Sequence, residues 1–207
     1  MNNHVAILTG DIINSRSIAT QDWLTQLKAI LNLYGDTPKQ WEIYRGDSFQ
    51  LEVTPVKALE TAILIKAALK QHKNLDVRIS IGIGPKEYNA EKITESNGVA
   101  FIRSGEAFHE MKKQTLVINT AQPKLNETLN LMLKLGLLTM DNWQPATAQT
   151  VMVALTNPLA QQKDLAKQLG KSQSTISEAL LRAGFDEISQ LLAYYAKNIT
   201  NNDTFTT

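Results

Sequence analysis

The sequence predicts an α+β fold, with a sheet and its helices in the first half and an all-helical second half. Three observations lead there. Up to residue 120, short apolar runs alternate with stretches of helical apolar spacing. After Thr120 the spacing is helical throughout. The 207 residues, 43% apolar and 20% charged, can bury a substantial core and are too weakly charged for a disordered chain.

Residues 5–9 form an apolar run that stops at Gly10 and Asp11, the pattern of a buried strand. Trp23, Leu24, Leu27, Ile30, Leu31 and Tyr34 follow at helical spacing, and Gly35-Asp36-Thr37-Pro38 ends that helix. Residues 41–44 and 49–53 read as strands joined by the turn Arg45-Gly46-Asp47-Ser48. A second helix, opened after Pro55, is marked by Leu59, Ala62, Ile63, Lys66, Ala67 and Leu69. Residues 77–83 alternate as a central strand, 99–113 read as helix and 116–119 as a last strand. The order β-α-β-β-α-β, with one further helix and strand, is the ferredoxin-like split βαβ pattern, which predicts an antiparallel sheet behind two helices. Leu125, Leu129, Met132, Leu133, Leu135 and Leu137 predict a helix bridging the halves, and Trp143 is expected in the core. The division is an α+β domain over 1–120 and a helical domain over 121–207, with a frayed tail from Thr200.

Composition excludes several chemistries. The absence of cysteine removes disulfides, thiolate zinc sites and a cysteine nucleophile, and three scattered histidines leave no histidine-rich metal site. A net charge of +1 announces neither nucleic acid nor membrane by bulk attraction. No charged and apolar leader opens the chain and no apolar stretch is long enough to span a bilayer, so a cytoplasmic protein with no membrane partner is expected. Asn126, Asn198 and Asn202 each open an Asn-X-Thr triplet, a pattern common by chance.

Asp11 follows a buried strand, and Asp47 lies in a tight turn between two more. In the split βαβ order those strands are neighbours, so the carboxylates converge at one edge, where a bound Mg²⁺ would relieve their repulsion. Ile12, Asn14, Ser15 and Arg16 follow, where backbone amides and a helix N-terminus can cradle phosphates. Arg103 is a further phosphate candidate. Taken singly, each aspartate also fits ordinary turn and capping chemistry.

These segments resemble the nucleotidyl cyclase fold, the palm-like domain shared with diguanylate cyclases. Leu8-Thr9-Gly10-Asp11-Ile12-Ile13 looks like the first metal-binding strand of class III cyclases, and Arg45-Gly46-Asp47-Ser48-Phe49-Gln50 like their metal-aspartate hairpin. Residues 77–84 resemble the central strand that follows, and 98–107 the next loop and helix. The whole layout is similar to the SatD family, bacterial proteins that join this region to a C-terminal helix-turn-helix. The resemblance implies Mg²⁺ on Asp11 and Asp47 and a bound nucleotide. Where active cyclases carry an Asn and an Arg that orient the ribose and stabilise the transition state, this chain has Ile102 and Glu106.

Residues 162–182 spell a helix-turn-helix. Leu165, Ala166 and Leu169 face inward on the first helix, Gly170 permits the turn, Ser172 caps the second helix, and Ile176, Ala179 and Leu180 pack back. The N-terminal part of such a second helix enters the major groove, so Gln173, Ser174 and Ser177 are the base-contact candidates. Lys163, Lys167, Lys171 and Arg182 are the phosphate candidates, while Glu178 counts against DNA. One copy would bind weakly and with strong salt dependence. A homodimer is therefore expected, through the stripe Ile188, Leu191, Leu192 and Tyr195. Two readings follow: a DNA-binding transcriptional regulator whose first domain responds to nucleotide and metal, or a nucleotidyl cyclase or related nucleotidyltransferase acting on nucleoside triphosphates.

Overall fold

The computed structural model describes residues 4–200. The Asn202 triplet and the tail beyond Thr200 lie outside them. Among the described residues there are five strands and eight α-helices: β1 (His4–Ile13), α1 (Thr20–Leu31), β2 (Trp41–Tyr44), β3 (Ser48–Val53), α2 (Ala58–Leu69), β4 (Asp76–Pro85), α3 (Val99–Glu110), β5 (Leu116–Asn119), α4 (Pro123–Met140), α5 (Pro145–Thr156), α6 (Gln162–Leu169), α7 (Gln173–Ala183) and α8 (Phe185–Thr200). No helix among them is long and apolar enough to cross a membrane.

The strands form one sheet in the order β2-β3-β1-β4-β5. The first four are antiparallel, while β5 runs parallel to β4, so the sheet is mixed where the sequence predicts an antiparallel one. The reason is α3, which carries the chain back along the sheet, so that β5 re-enters in the direction of β4. β1 and β4 are also longer than their apolar runs, because polar residues at both ends remain in register, from His4 opposite Pro85 to Ile13 opposite Asp76.

Alternation along β1 sorts its side chains between two layers. Ala6, Leu8 and Ile12 join Leu51, Ile79, Ile81 and the apolar faces of α1 and α2 in the main core. Ile7 faces the other way, into a small cluster with Ile93 and Ala100 beneath α3. Helices thus cover both faces of the sheet, not one. Gly82 sets the approach of α3: a Cβ there would stand 2.2 Å from the Ser104 nitrogen and 2.3 Å from the Ala100 carbonyl oxygen. Ser104, fully buried, donates to the Thr9 hydroxyl at 2.8 Å and anchors α3 over β1.

The helical half continues the same core. Leu129, Leu133 and Leu137 of α4, Val151 of α5, and Ile188, Tyr195 and Ile199 of α8 are buried with the sheet residues. Trp143 is in that core as expected, its indole donating to the Ala183 carbonyl at 3.1 Å. The apolar stripe of α8 expected at a dimer interface is occupied within one molecule. Ile188, Leu191 and Tyr195 are all buried, and the Tyr195 hydroxyl donates to the Pro55 carbonyl at 2.6 Å. Burial drives that phenol far above its usual range.

Candidate functional site

Asp11 is placed by register: β1 sets it opposite Ser48 of β3 on one side and Arg78 of β4 on the other. Asp47 occupies the β2–β3 turn, which Arg45 (φ 53°) and Gly46 (φ 90°) enter in left-handed conformation. That turn is fastened to the end of β1 by the Ile12 amide, which donates to the Asp47 carbonyl at 3.1 Å. Each carboxylate then accepts a hydroxyl from the other's segment. Ser48 donates to Asp11 Oδ1 at 3.2 Å, and Ser15 donates to Asp47 Oδ2 at 2.7 Å. The two acids converge at one end of the sheet, each held from the side and with lone pairs to spare.

Burial, reinforced by the Asp47 charge, raises the Asp11 carboxyl above its ordinary range, against the Ser48 hydrogen bond and the Arg78 charge, which lower it. Tyr44, across the Asp47 turn from Ser48, has its phenol raised by burial and by the Asp11 charge, against Arg45. Arg78 is the member of this constellation that sequence reasoning misses. Its guanidinium lies 4.9 Å from the centroid of the Phe108 ring of α3, and its buried Nε has no hydrogen-bond partner. Alternation along residues 77–83 sets which face of the strand Arg78 takes, and only the β1–β4 register sets it opposite Asp11.

The surrounding candidates divide. Ser15 is at the site through Asp47. Asn14 (φ 60°) turns the chain after β1, holding the Asn74 carbonyl at 3.0 Å and accepting the Ser17 amide at 2.8 Å. Arg16 is exposed on that turn, next in sequence to Ser15. Ile12 is buried and its amide is engaged by the Asp47 carbonyl, so it offers no donor to a phosphate. Arg103 stands apart: Nη1 donates to the Ile83 carbonyl at 2.6 Å, and Ile83 pairs with Ala6, five residues from Asp11. Five residues of strand separate those positions by about 17 Å. Ile102 and Glu106 are exposed on α3, as is His109.

A metal at Asp11 and Asp47 would have two protein carboxylates, since no group of three or more potential ligands assembles among the described residues. Two carboxylates, with water and phosphate oxygens completing the shell, suit Mg²⁺, and such an ion would offset both the burial and the Asp47 charge that lift Asp11. When bound, the ion would neutralise phosphate charge. The chain's own part is to hold the acids by Ser15 and Ser48 and to offer Arg16.

One consequence concerns stability. A carboxyl whose folded pKa lies above its unfolded value binds more protons when folded, so its contribution falls as pH rises through that window. Ionised Asp11 therefore costs stability at neutral pH. Asp11→Asn is expected to raise Tm by about 1–4 °C at pH 7, with the gain shrinking toward pH 3. Mg²⁺ should stabilise the wild type and not the variant. Thermal melts at both pH values, with and without Mg²⁺, check this, and a lower Tm for the variant at pH 7 would contradict it.

The second candidate surface is built by α5, α6 and α7. Val153 and Ala154 of α5 pack with Leu165 and Ala166 of α6 and Ile176 and Leu180 of α7 in a core of their own. Gln161 and Asp164 close a capping box at the start of α6, and Gly170 ends it in left-handed conformation at φ 62°. The Ser172 hydroxyl accepts the Thr175 amide at 3.2 Å and caps α7. Gln173, Ser174 and Ser177 are exposed on α7, while Lys163 and Lys167 are exposed on α6. Lys171 reaches Gln149 of α5 at 3.4 Å, and Arg182 pairs with Glu178 at 3.4 Å, so the acid on this helix has a partner. Leu181 on the same helix is 82% exposed.

No protein-family model matches the chain, and no curated protein matches it. The functional reading rests on the two sites themselves.

Proposed function

We propose that the chain is a nucleotide-responsive, DNA-binding transcriptional regulator of the SatD type. The observation that carries this reading is the tri-helical unit: a capped α7, set off from α6 by a left-handed glycine, presents hydrogen-bonding side chains at its exposed N-terminal turns. In the proposed complex Gln173, Ser174 and Ser177 read base edges, and Lys171 and Arg182 take phosphates.

The antiparallel order β2-β3-β1-β4 supports a ferredoxin-like, cyclase-like reading of the first domain. Asp11 and Asp47 hold Mg²⁺ there, and the Asn14–Arg16 turn meets the nucleotide phosphates. Ile102 and Glu106, at the places of the cyclase transition-state pair, favour binding over turnover. Communication between the sites has a physical route, since α5 packs on α2 beneath the sheet and on α7 of the helix-turn-helix.

The test is selection from a random duplex library, followed by titration of the enriched sequence. One lost base contact costs about 1–3 kcal/mol, so Gln173→Ala is expected to weaken the selected site roughly 5- to 150-fold and random duplex much less. Affinity should fall steeply with salt. No enrichment, or equal loss on selected and random DNA, would sink the reading.

A further inference from the structure

α4 carries two apolar faces. Leu125, Leu129, Leu133, Leu137 and Met140 face the core. On the opposite side Leu131, Leu135 and Leu138 are 59%, 62% and 72% exposed. With Thr128 they follow a 3-4-3 spacing, the seam of a helix that packs against another helix. A groove of about 530 Å³ runs beside this ridge, walled by Met132, Gly136, Leu191 and Tyr194. A convex leucine ridge next to a concave apolar groove on one surface is self-complementary, the requirement of a two-fold contact.

We infer that this surface is a homodimer interface, with α4 of one copy packing against α4 of the second. Exposed fractions of this size leave on the order of 100 Å² per leucine, judged from the area removed when such a side chain is buried. Three leucines and the groove walls approach the roughly 500 Å² of apolar surface per partner in a homodimer interface of about 800 Å² per side, two-thirds of it apolar. Ala183 and Gly184, where α7 ends, line the same groove, so the contact fixes the two α7 helices relative to one another. In its consequence for DNA the inference rests on the regulator reading, since two linked helix-turn-helix units read two half-sites.

Sedimentation of the full chain over about 1–100 μM, read beside but separately from DNA binding, tests it. The wild type is expected at twice the 23.0 kDa chain mass. Leu135→Glu and Leu138→Glu should each shift the dissociation constant at least about 100-fold, or give a monomer, with unchanged far-ultraviolet dichroism. Leu33→Glu, at a 65% exposed leucine outside the seam, should not. Because the chain has no cysteine, Leu131→Cys, Leu135→Cys and Leu138→Cys can be oxidised singly, and at least one should cross-link two copies. A monomeric wild type, including one that binds a hydrophobic dye through the open seam, overturns the inference. So does a dimer indifferent to both glutamates. A seam-dependent dimer that ignores DNA refutes the regulator and leaves the interface standing, and a DNA-binding monomer does the reverse.

Discussion

Asp47→Asn is expected to lower Mg²⁺-dependent affinity for a nucleoside triphosphate by at least about 30-fold, the equivalent of roughly 2 kcal/mol. A proposed Mg²⁺ here has two protein carboxylates to hold it, so removing one charge halves the protein's charge on the ion. An attraction of roughly 4 kcal/mol between unit charges at 4 Å in a half-buried setting is large enough to support a loss of that size after solvent takes over part of the role. The substitution is mild for the fold. Asn can still accept the Ser15 hydroxyl, and the Ile12 amide bonds the Asp47 backbone, not its side chain. Calorimetric titration of a nucleotide panel, with Mg²⁺ and with chelator, measures the effect, and Asp11→Asn should show a parallel loss. Product formation in the same mixtures, lost in Asp47→Asn, would move the assignment to the cyclase or nucleotidyltransferase reading. Equal affinity of wild type and Asp47→Asn would remove the acid pair from any nucleotide site.

What could be foreseen of this arrangement follows from the range of the interactions involved. Strand neighbours and turn chemistry are local, so the meeting of Asp11 with the Asp47 turn was legible from order and spacing alone. So were α6, α7 and the turn between them, whose glycine, cap and inward residues all lie within about twenty positions. Features decided across the fold were not. Arg103 lies near the acids in no local sense: α3 crosses the sheet, and the bond to the Ile83 carbonyl fixes its guanidinium at the far end. Arg78 joins the acids because β4 pairs with β1 in one register of several that periodicity permits. The α8 stripe and the α4 seam look alike as sequence, two apolar rows at helical spacing. The α8 row is buried, with Tyr195 bonded to the Pro55 carbonyl, and α4 is seated in the same core by its other face, Leu125, Leu129, Leu133 and Leu137. That leaves the second row of α4, Leu131, Leu135 and Leu138, facing outward.

The largest loss of stability is expected from Asp76→Ala, about 3–5 kcal/mol, because it takes from a buried cation the more buried of its two carboxylates and removes the acceptor that Lys70 and the Val77 amide share. Lys66 lies on α2 with 1% of its side chain exposed, between Asp76 and Asp141 at 2.7 Å each, and it also donates to the Thr115 hydroxyl at 3.0 Å. Asp76 is the hub: besides Lys66 it accepts the Val77 amide at 2.8 Å and Lys70 at 3.3 Å. Lys70 in turn donates to the Asp141 carbonyl at 2.5 Å, so the cluster fastens α2 and β4 to the residue that ends α4. A loss of that size should lower Tm by roughly 6–20 °C in a chain of this length. Lys66→Met is expected to cost less, about 2 kcal/mol or under, although it deletes the charge at the centre. Methionine fills a similar volume, Asp76 keeps Lys70, and Asp141, about one-third exposed, keeps the Thr115 hydroxyl at 2.6 Å and access to water. The order of the two variants is therefore the informative quantity, and chemical denaturation read by tryptophan fluorescence measures it. If Lys66→Met proved the more damaging, the lysine would be stabilising the fold through its own net attraction. If Asp76→Ala is worse, the expense of a buried charge left with only part of its compensation dominates, and the cluster specifies how the helical half seats on the sheet more than it strengthens it.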